Sequence, residues 1–184
     1  REDKSTCVAG TDISCLRDYK SGVVKELKSG KVYKTDLPVS DVLYYELELS
    51  EGQTENEFLA IHIAQKYGGR VKIPATDLNK LDELSPEQRH IRDAAYVDLF
   101  ENDAYGKLSI QRDLIVETMD ADIRNKLRQS ENPGLVIIDY AGYIKSVPQS
   151  KYDRRLEKPT VIEEAYEIVR AITHDFHVAV VMIN

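Results

Sequence analysis

The sequence predicts an α/β domain in which helices flank a mainly parallel sheet. Three short apolar runs, each bounded by polar or turn residues, are typical of strands buried on both faces; they occupy residues 42–45, 135–138 and 178–183. Stretches with apolar residues at helical spacing lie between these runs. Because strands alternate with helices of this length, the chain is expected to form crossover units and hence parallel strands.

Capping signals mark the starts of three predicted helices. Ser50, with Gln53 three residues later, has the pattern of a capping box, and Thr160 with Glu163 repeats it. A third helix is expected to begin after Ser85, which is followed by proline and glutamate. The first of these helices runs toward two consecutive glycines, which favour termination.

The remaining stretches are less marked. Residues 121–129 form a fourth helical pattern that ends before Pro133, whereas residues 107–117 fit either a strand or a helix. No internal repeat is visible, so the sequence predicts a single domain. Residues 42–184 hold the elements predicted above, and residues 1–41 stay unassigned.

Composition and charge exclude several classes of protein. The 184 residues are 42% hydrophobic and 31% charged, which is typical of a globular chain and not of a fibrous or disordered one. The net charge of −7 is not typical of a surface that binds polyanions, so any contact with nucleic acid is expected to be local or supplied by segments absent from this sequence. No apolar run approaches the ~18 residues of a membrane span, so no membrane partner is expected. Cys7 and Cys15 are too few for a disulfide framework, and a reducing cytoplasm is the expected compartment.

Carboxylates at predicted strand ends are the main candidates for chemistry. Asp139 follows a strand directly, and in a parallel sheet that position lies at the edge where α/β folds bind ligands. Such a carboxylate can hold Mg²⁺ against nucleotide phosphates, although an aspartate that serves only the turn is an equal alternative.

A second acidic pattern lies in residues 42–50. The two-residue period of a strand puts Tyr44, Glu46 and Glu48 on one face. A carboxylate there can polarise the water that attacks a γ-phosphate. The alternative is an edge strand with a solvated acidic face.

The order of these segments resembles that of DnaB-type replicative helicases, which are hexameric motors with a RecA-like fold. Residues 47–50 read Leu-Glu-Leu-Ser where the family has Leu-Glu-Met-Ser before a helix, and Asp139 with the tyrosine after it resembles the Walker B motif. Three segments between these two motifs follow the family's order, namely residues 69–72, 84–87 and 123–124, and residues 165–183 match the helix and apolar strand that come after them. The resemblance covers residues 42–184.

The resemblance implies roles for individual residues. Glu48 would be the catalytic glutamate and Asp139 the Walker B acid that coordinates Mg²⁺, with ATP as the nucleotide. Asn184 falls at or just before the polar sensor position after the last strand and would contact the nucleotide. Glu46 is the local rival of Glu48 and would be a surface carboxylate.

The resemblance also implies the setting in which the protein works. It implies a homo-hexamer that couples ATP hydrolysis to movement along single-stranded DNA in the bacterial or phage-infected host cytosol, with primase or a loading protein as a further partner. Two alternatives remain open. One is a catalytically inactive RecA-fold scaffold or helicase-loading module, and the other is a RecA-like recombination or signalling ATPase.

Several features depart from the family pattern. A P-loop of the form Gly-x-x-x-x-Gly-Lys-Ser/Thr should precede residue 42, but residues 28–31 (Lys-Ser-Gly-Lys) lack the upstream glycine and fit an exposed turn better. Gly142 and the tyrosine after it replace the family's usual continuation. The chain begins with Arg1 and ends directly after an apolar run, so it is expected to be part of a longer protein that holds the arginine finger and DNA-binding loop. This chain alone is therefore not expected to hydrolyse ATP.

Other candidate groups are weaker. His174 and His177 lie three residues apart without a nearby set of cysteines or glutamates, so we expect solvent-facing side chains and not a zinc site. The basic residues between positions 145 and 158 either contact DNA phosphates or form a solvated loop, and the acidic residues among them favour the loop.

Overall fold

The computed structural model describes residues 23–25, 32–34, 40–67, 69–102, 106–147 and 158–184. The chain divides into two compact units, one made of Arg1–Ser40 with Leu49–Lys107 and the other of Asp41–Glu48 with Leu108–Asn184. Four of the features discussed above lie outside the described residues: Cys7, Cys15, residues 28–31 and most of the basic loop (148–157).

The second unit is built on a parallel sheet. Its described strands are β3 (Asp41–Glu46), β4 (Leu108–Gln111), β5 (Pro133–Asp139) and β6 (Ala179–Met182), in the spatial order β4-β3-β5-β6. Every neighbouring pair is parallel. All three apolar runs form strands, as predicted, and the central pair β3 and β5 is buried on both faces, since Tyr44 and Ile137 are as inaccessible as Tyr45 and Ile138. The expected burial of the third run was wrong: β6 is an outermost strand in this order, and its side chains are exposed or only partly buried.

Two helices pack on one face of this sheet. They are α4 (Val116–Gln129) and α5 (Lys158–Phe176), which contribute apolar stripes at helical spacing. Because strand side chains alternate between faces, alternate residues of β3 and β5 meet those stripes. The resulting core contains Leu43, Tyr45, Val136 and Ile138 from the strands, Met119, Ile123 and Leu127 from α4, and Val161, Ala165, Val169 and Ile172 from α5. Burial of such side chains contributes ~1.5–3 kcal/mol each, which holds the strand ends in place.

The first unit is mainly helical in its described part. It contains α1 (Glu51–Lys66), α2 (Ala75–Leu78) and α3 (Pro86–Tyr96), together with an antiparallel pair of short strands, β1 (Val23–Lys25) and β2 (Val32–Lys34). The predicted capping residues begin two of these helices. The Ser50 N–H donates to Gln53 Oε1 at 2.9 Å, and Ser85 Oγ accepts from the Gln88 N–H at 3.2 Å.

Two element boundaries differ from the sequence prediction. Thr160 was expected to cap a helix but lies inside α5, which already includes Lys158 and Pro159; proline suits the first turn because its missing N–H needs no partner there. The helix predicted over residues 121–129 begins at Val116. No side chain caps this start; instead the Val116 N–H donates to the Lys145 carbonyl at 2.9 Å. Because Lys145 is far from Val116 in the sequence, the residues around Val116 contain no capping signal that would have marked this start.

The stretch that fitted either a strand or a helix contains both. Residues 108–111 form β4, and α4 begins five residues after β4 ends. The side chains of β4 are only partly buried or exposed, which explains why its apolar pattern is weak.

Candidate functional site

The carboxyl ends of β3, β5 and β6 lie side by side at one edge of the parallel sheet. Glu46 and Asp139 are the last residues of β3 and β5, and they are register partners. The β5–β6 pairing continues past β6, where the Ile183 N–H donates to the Ile138 carbonyl at 3.0 Å. Asn184 follows at the same edge. In α/β folds this is the edge at which ligands bind.

Asp139 is buried and accepts a hydrogen bond from a buried tyrosine. Its side chain is 4% exposed, and Oδ2 accepts from the Tyr44 hydroxyl at 2.9 Å. Its backbone carbonyl accepts from the Leu47 N–H at 2.7 Å, and the peptide bond to Tyr140 is cis. The two hydrogen bonds therefore fix both the carboxylate and the backbone at the end of β5.

Glu46 was expected to be a surface carboxylate, and this prediction was wrong. Its side chain is 2% exposed. The prediction failed because β3 is a central strand, between β4 and β5, and its face that carries Tyr44 and Glu46 is covered, since Tyr44 is buried as well. Glu46 Oε1 accepts from the Glu48 N–H at 2.9 Å, and Oε2 lies 3.5 Å from the Tyr44 hydroxyl.

Glu48 lies two residues beyond β3, in a bend, and its side chain is exposed. The backbone on its amino side is held by two hydrogen bonds, from the Leu47 N–H to the Asp139 carbonyl and from the Glu48 N–H to Glu46 Oε1. The carboxylate thus projects toward solvent from a fixed backbone. Asn184 is exposed as well. The roles of Glu48, Asp139 and Asn184 stay predictions.

A second tyrosine anchors the other face of β3. Tyr45 is fully buried, and its hydroxyl donates to Asp122 Oδ2 on α4 at 2.6 Å. Burial and this hydrogen bond raise the pKa of Tyr45 far above its usual value, so the phenol stays protonated. Asp122 also pairs with Lys126 at 2.7 Å. Adjacent residues of β3 therefore bind carboxylates on opposite faces of the sheet.

The residues at the carboxyl edge are suitable ligands for Mg²⁺ when phosphates complete the shell. Carboxylate oxygens are hard ligands of the kind Mg²⁺ prefers, and the Tyr44 contact uses only Oδ2 of Asp139. In the described part of the chain, no group of three or more His, Cys, Asp or Glu side chains is arranged to hold a metal.

The departure from the family pattern after Asp139 has a local explanation. The ring of Tyr140 lies close to Gly142, where an added Cβ would be 2.5 Å from the ring atom Cε1. Tyr140 also packs edge-on against Tyr143, with ring centroids 5.6 Å apart. Glycine at position 142 leaves room for this ring, which follows the candidate metal ligand.

The other candidate groups lie at the surface. His174 is 88% exposed beside Asp175, and His177 is exposed too. Lys145, at the start of the basic loop, forms an ion pair with Asp113. Within the segments that the structure describes, no helix has both the length and the apolar character needed to cross a membrane.

Comparison with solved structures supports the fold. The chain is similar to a DnaB-like replicative helicase whose structure was described with its interactions with primase: the TM-score is 0.56 at 14% identity, over 78% of this chain and 31% of that chain. It is also similar to a solved ATPase domain, with a TM-score of 0.52 at 16% identity, over 78% of this chain and 46% of that chain. No protein-family model and no curated protein matches the sequence.

These similarities confirm the predicted RecA-like fold and, at the level of the fold, the resemblance to DnaB-type helicases. The chain spans less than half the length of either solved chain. The hydrogen bond from Tyr44 to Asp139 and the burial of Glu46 were not predicted from the sequence. The alternation that places Tyr44 and Glu46 on one face was visible, but the central position of β3 was not.

Proposed function

We propose that this chain is part of the ATPase core of a DnaB-like replicative helicase. One observation carries the proposal: the strand end that leads into Glu48 is the register partner of Asp139, in a fold similar to helicase ATPase domains. Two acidic residues from separate crossover units thereby approach the edge at which this fold class binds ligands.

Each residue has a distinct role in this proposal. Asp139 holds Mg²⁺, directly or through water, and the bound ion neutralises charge on the nucleotide phosphates. Glu48 orients the attacking water, for which its exposed carboxylate on a fixed backbone is suited. Asn184 contacts the nucleotide from the end of β6.

The partners follow from the same proposal. ATP and Mg²⁺ are the cofactors, and single-stranded DNA is the track of a homo-hexamer. Primase is a proposed partner because one structurally similar helicase was described with its interactions with primase. Since the sequence contains no P-loop, hydrolysis is proposed for the full-length protein and not for these 184 residues alone.

The test is the ATPase activity of the full-length protein with and without single-stranded DNA. We expect Glu48→Gln to lower kcat by roughly a hundredfold or more, the usual contribution of a positioned general base. Glu131→Gln is the matched control, because Glu131 is exposed and lies near the amino end of β5. Unchanged turnover in Glu48→Gln overturns the assigned role.

The missing P-loop favours a second candidate, a RecA-fold scaffold or helicase-loading module without nucleotide chemistry. A nucleotide titration of the full-length protein separates the two, because the scaffold shows no Mg²⁺-dependent affinity. A RecA-like recombination or signalling ATPase would hydrolyse ATP but fail to unwind a DNA fork.

A further inference from the structure

Glu46 accepts a hydrogen bond from Glu48 and lies near the tyrosine hydroxyl that donates to Asp139. Its Oε1 accepts the Glu48 N–H at 2.9 Å, and its Oε2 lies 3.5 Å from the hydroxyl that donates to Asp139. The side chain is 2% exposed. Burial of a carboxylate costs free energy unless hydrogen-bond donors surround it, so the contacts of Glu46 are important for the structure around it.

The contact with Glu48 restrains the segment that the proposed reaction uses. Residues 47–49 are past the end of β3, where sheet hydrogen bonds no longer fix the backbone on both sides. The Leu47 N–H still reaches the Asp139 carbonyl, but the next N–H, that of Glu48, has Glu46 as its acceptor. The Glu46 side chain therefore restrains the backbone at Glu48, one residue beyond the last hydrogen bond between β3 and β5.

We propose that Glu46 is a positioning residue for Glu48. Its carboxylate accepts the Glu48 N–H and so holds the Glu48 backbone in place. Glu46 does not touch substrate in this proposal, which rests on the ATPase function proposed above. Small displacements of a catalytic group have large effects on rate, so loss of this restraint lowers kcat and leaves nucleotide binding largely intact.

Two variants of similar volume isolate the hydrogen bond. Glu46→Gln keeps an oxygen that accepts the Glu48 N–H. The amide nitrogen that it introduces can donate to the Tyr44 hydroxyl oxygen, while that hydroxyl still donates its proton to Asp139. Glu46→Met removes the acceptor and keeps the length of the side chain. Glu131→Met is the surface control.

Steady-state ATPase kinetics of the full-length protein give the first readout. We expect Glu46→Met to lower kcat roughly tenfold with KM for ATP changed by less than about threefold, and Glu46→Gln to retain most of the wild-type kcat. If Glu46→Gln loses as much activity as Glu46→Met and needs more Mg²⁺, the negative charge matters and the positioning role is wrong. If Glu48→Gln is inactive while Glu46→Met is fully active, the inference fails and the proposed function stands. A wild-type protein without ATPase activity overturns both.

Amide hydrogen exchange at Glu48 gives the second readout, without nucleotide. We expect the Glu48 N–H to be protected in the wild type and in Glu46→Gln, and to exchange faster in Glu46→Met. Thermal unfolding shows whether each variant is folded. Should Glu46→Met fail to fold, protection of the Glu48 N–H in the wild type still decides the question, because an unprotected amide contradicts the contact on which the inference rests.

Discussion

Glu46 and Asp139 end neighbouring strands as register partners, and one hydroxyl, that of Tyr44, lies 2.9 Å from Asp139 and 3.5 Å from Glu46. Both carboxyl groups are almost inaccessible to solvent. Buried carboxyl oxygens are costly without hydrogen-bond donors, so donors and cations that lie near this pair gain importance. Tyr44 is one such donor, and the proposed Mg²⁺ would be a second source of stabilisation.

Removal of the Tyr44 hydroxyl should destabilise the protein. Tyr44→Phe leaves the buried Asp139 carboxyl without its 2.9 Å donor, and we expect the free energy of unfolding to fall by ~1.5–3 kcal/mol. Denaturant unfolding measures this as a lower midpoint with an unchanged slope. Tyr166→Phe is the control, since Tyr166 is 47% exposed and should change stability by less than about 0.5 kcal/mol. Equal changes in the two variants would show that the Tyr44 hydroxyl contributes nothing.

Much of this arrangement was predictable because the central strands are apolar on both faces. Residues 42–45 and 135–138 stand out from any helical pattern, and the acidic residues follow them directly. Strand order was beyond local pattern analysis, and Glu46 shows the consequence. The two-residue alternation of a strand shows which face of β3 carries Glu46, but not whether that face is exposed. The face would be solvated on an edge strand, whereas β3 is a central strand and Glu46 is buried. Long-range backbone contacts, such as that of Val116 with Lys145, were likewise invisible in the sequence.

Asp98 should make the stability of the first unit depend on pH in the acidic range. His62 and Lys66 each lie 2.9 Å from its Oδ2, and Asn102 donates to Oδ1 at 3.2 Å. Burial by itself raises the pKa of Asp98, but the hydrogen bonds from Lys66, His62 and Asn102 outweigh it and lower the pKa to about 2. A pKa lower in the folded state than in the unfolded state means that the carboxylate stabilises the fold at neutral pH. This stabilisation is lost as the pH falls from about 4, the usual value for aspartate, toward about 2.

The measurement is denaturant unfolding of the wild type and of Asp98→Asn between pH 7 and pH 2. We expect the wild type to be more stable at pH 7 and the difference to shrink as the pH falls through that window. Asp82→Asn, at an exposed position, is the control and should follow the wild type throughout. A difference that does not depend on pH would mean that the ionised form of Asp98 is not what stabilises this unit.

Asp139 should govern how nucleotide affinity depends on Mg²⁺. If this carboxylate anchors the ion, wild-type affinity for ATP falls when Mg²⁺ is chelated, because the nucleotide then loses its bridge to the protein. In Asp139→Asn the amide oxygen is a weaker ligand, so affinity with Mg²⁺ should be at least about tenfold lower than in the wild type. Affinity without Mg²⁺ should change little. Titration of the full-length wild type and of Asp139→Asn with ATP, each with Mg²⁺ and with chelator, gives the four affinities to be compared.

The Asp139→Asn variant also separates metal binding from folding. The amide side chain that it introduces keeps an oxygen that accepts from the Tyr44 hydroxyl, so the free energy of unfolding should change less than it does in Tyr44→Phe. Glu131→Gln, at the opposite edge of the sheet, should keep the wild-type Mg²⁺ dependence. If Asp139→Asn is folded and shows the same difference between Mg²⁺ and chelator as the wild type, the ion is held elsewhere. The ligand role assigned to the carboxyl end of β5 is then wrong, even if the protein proves to be an ATPase.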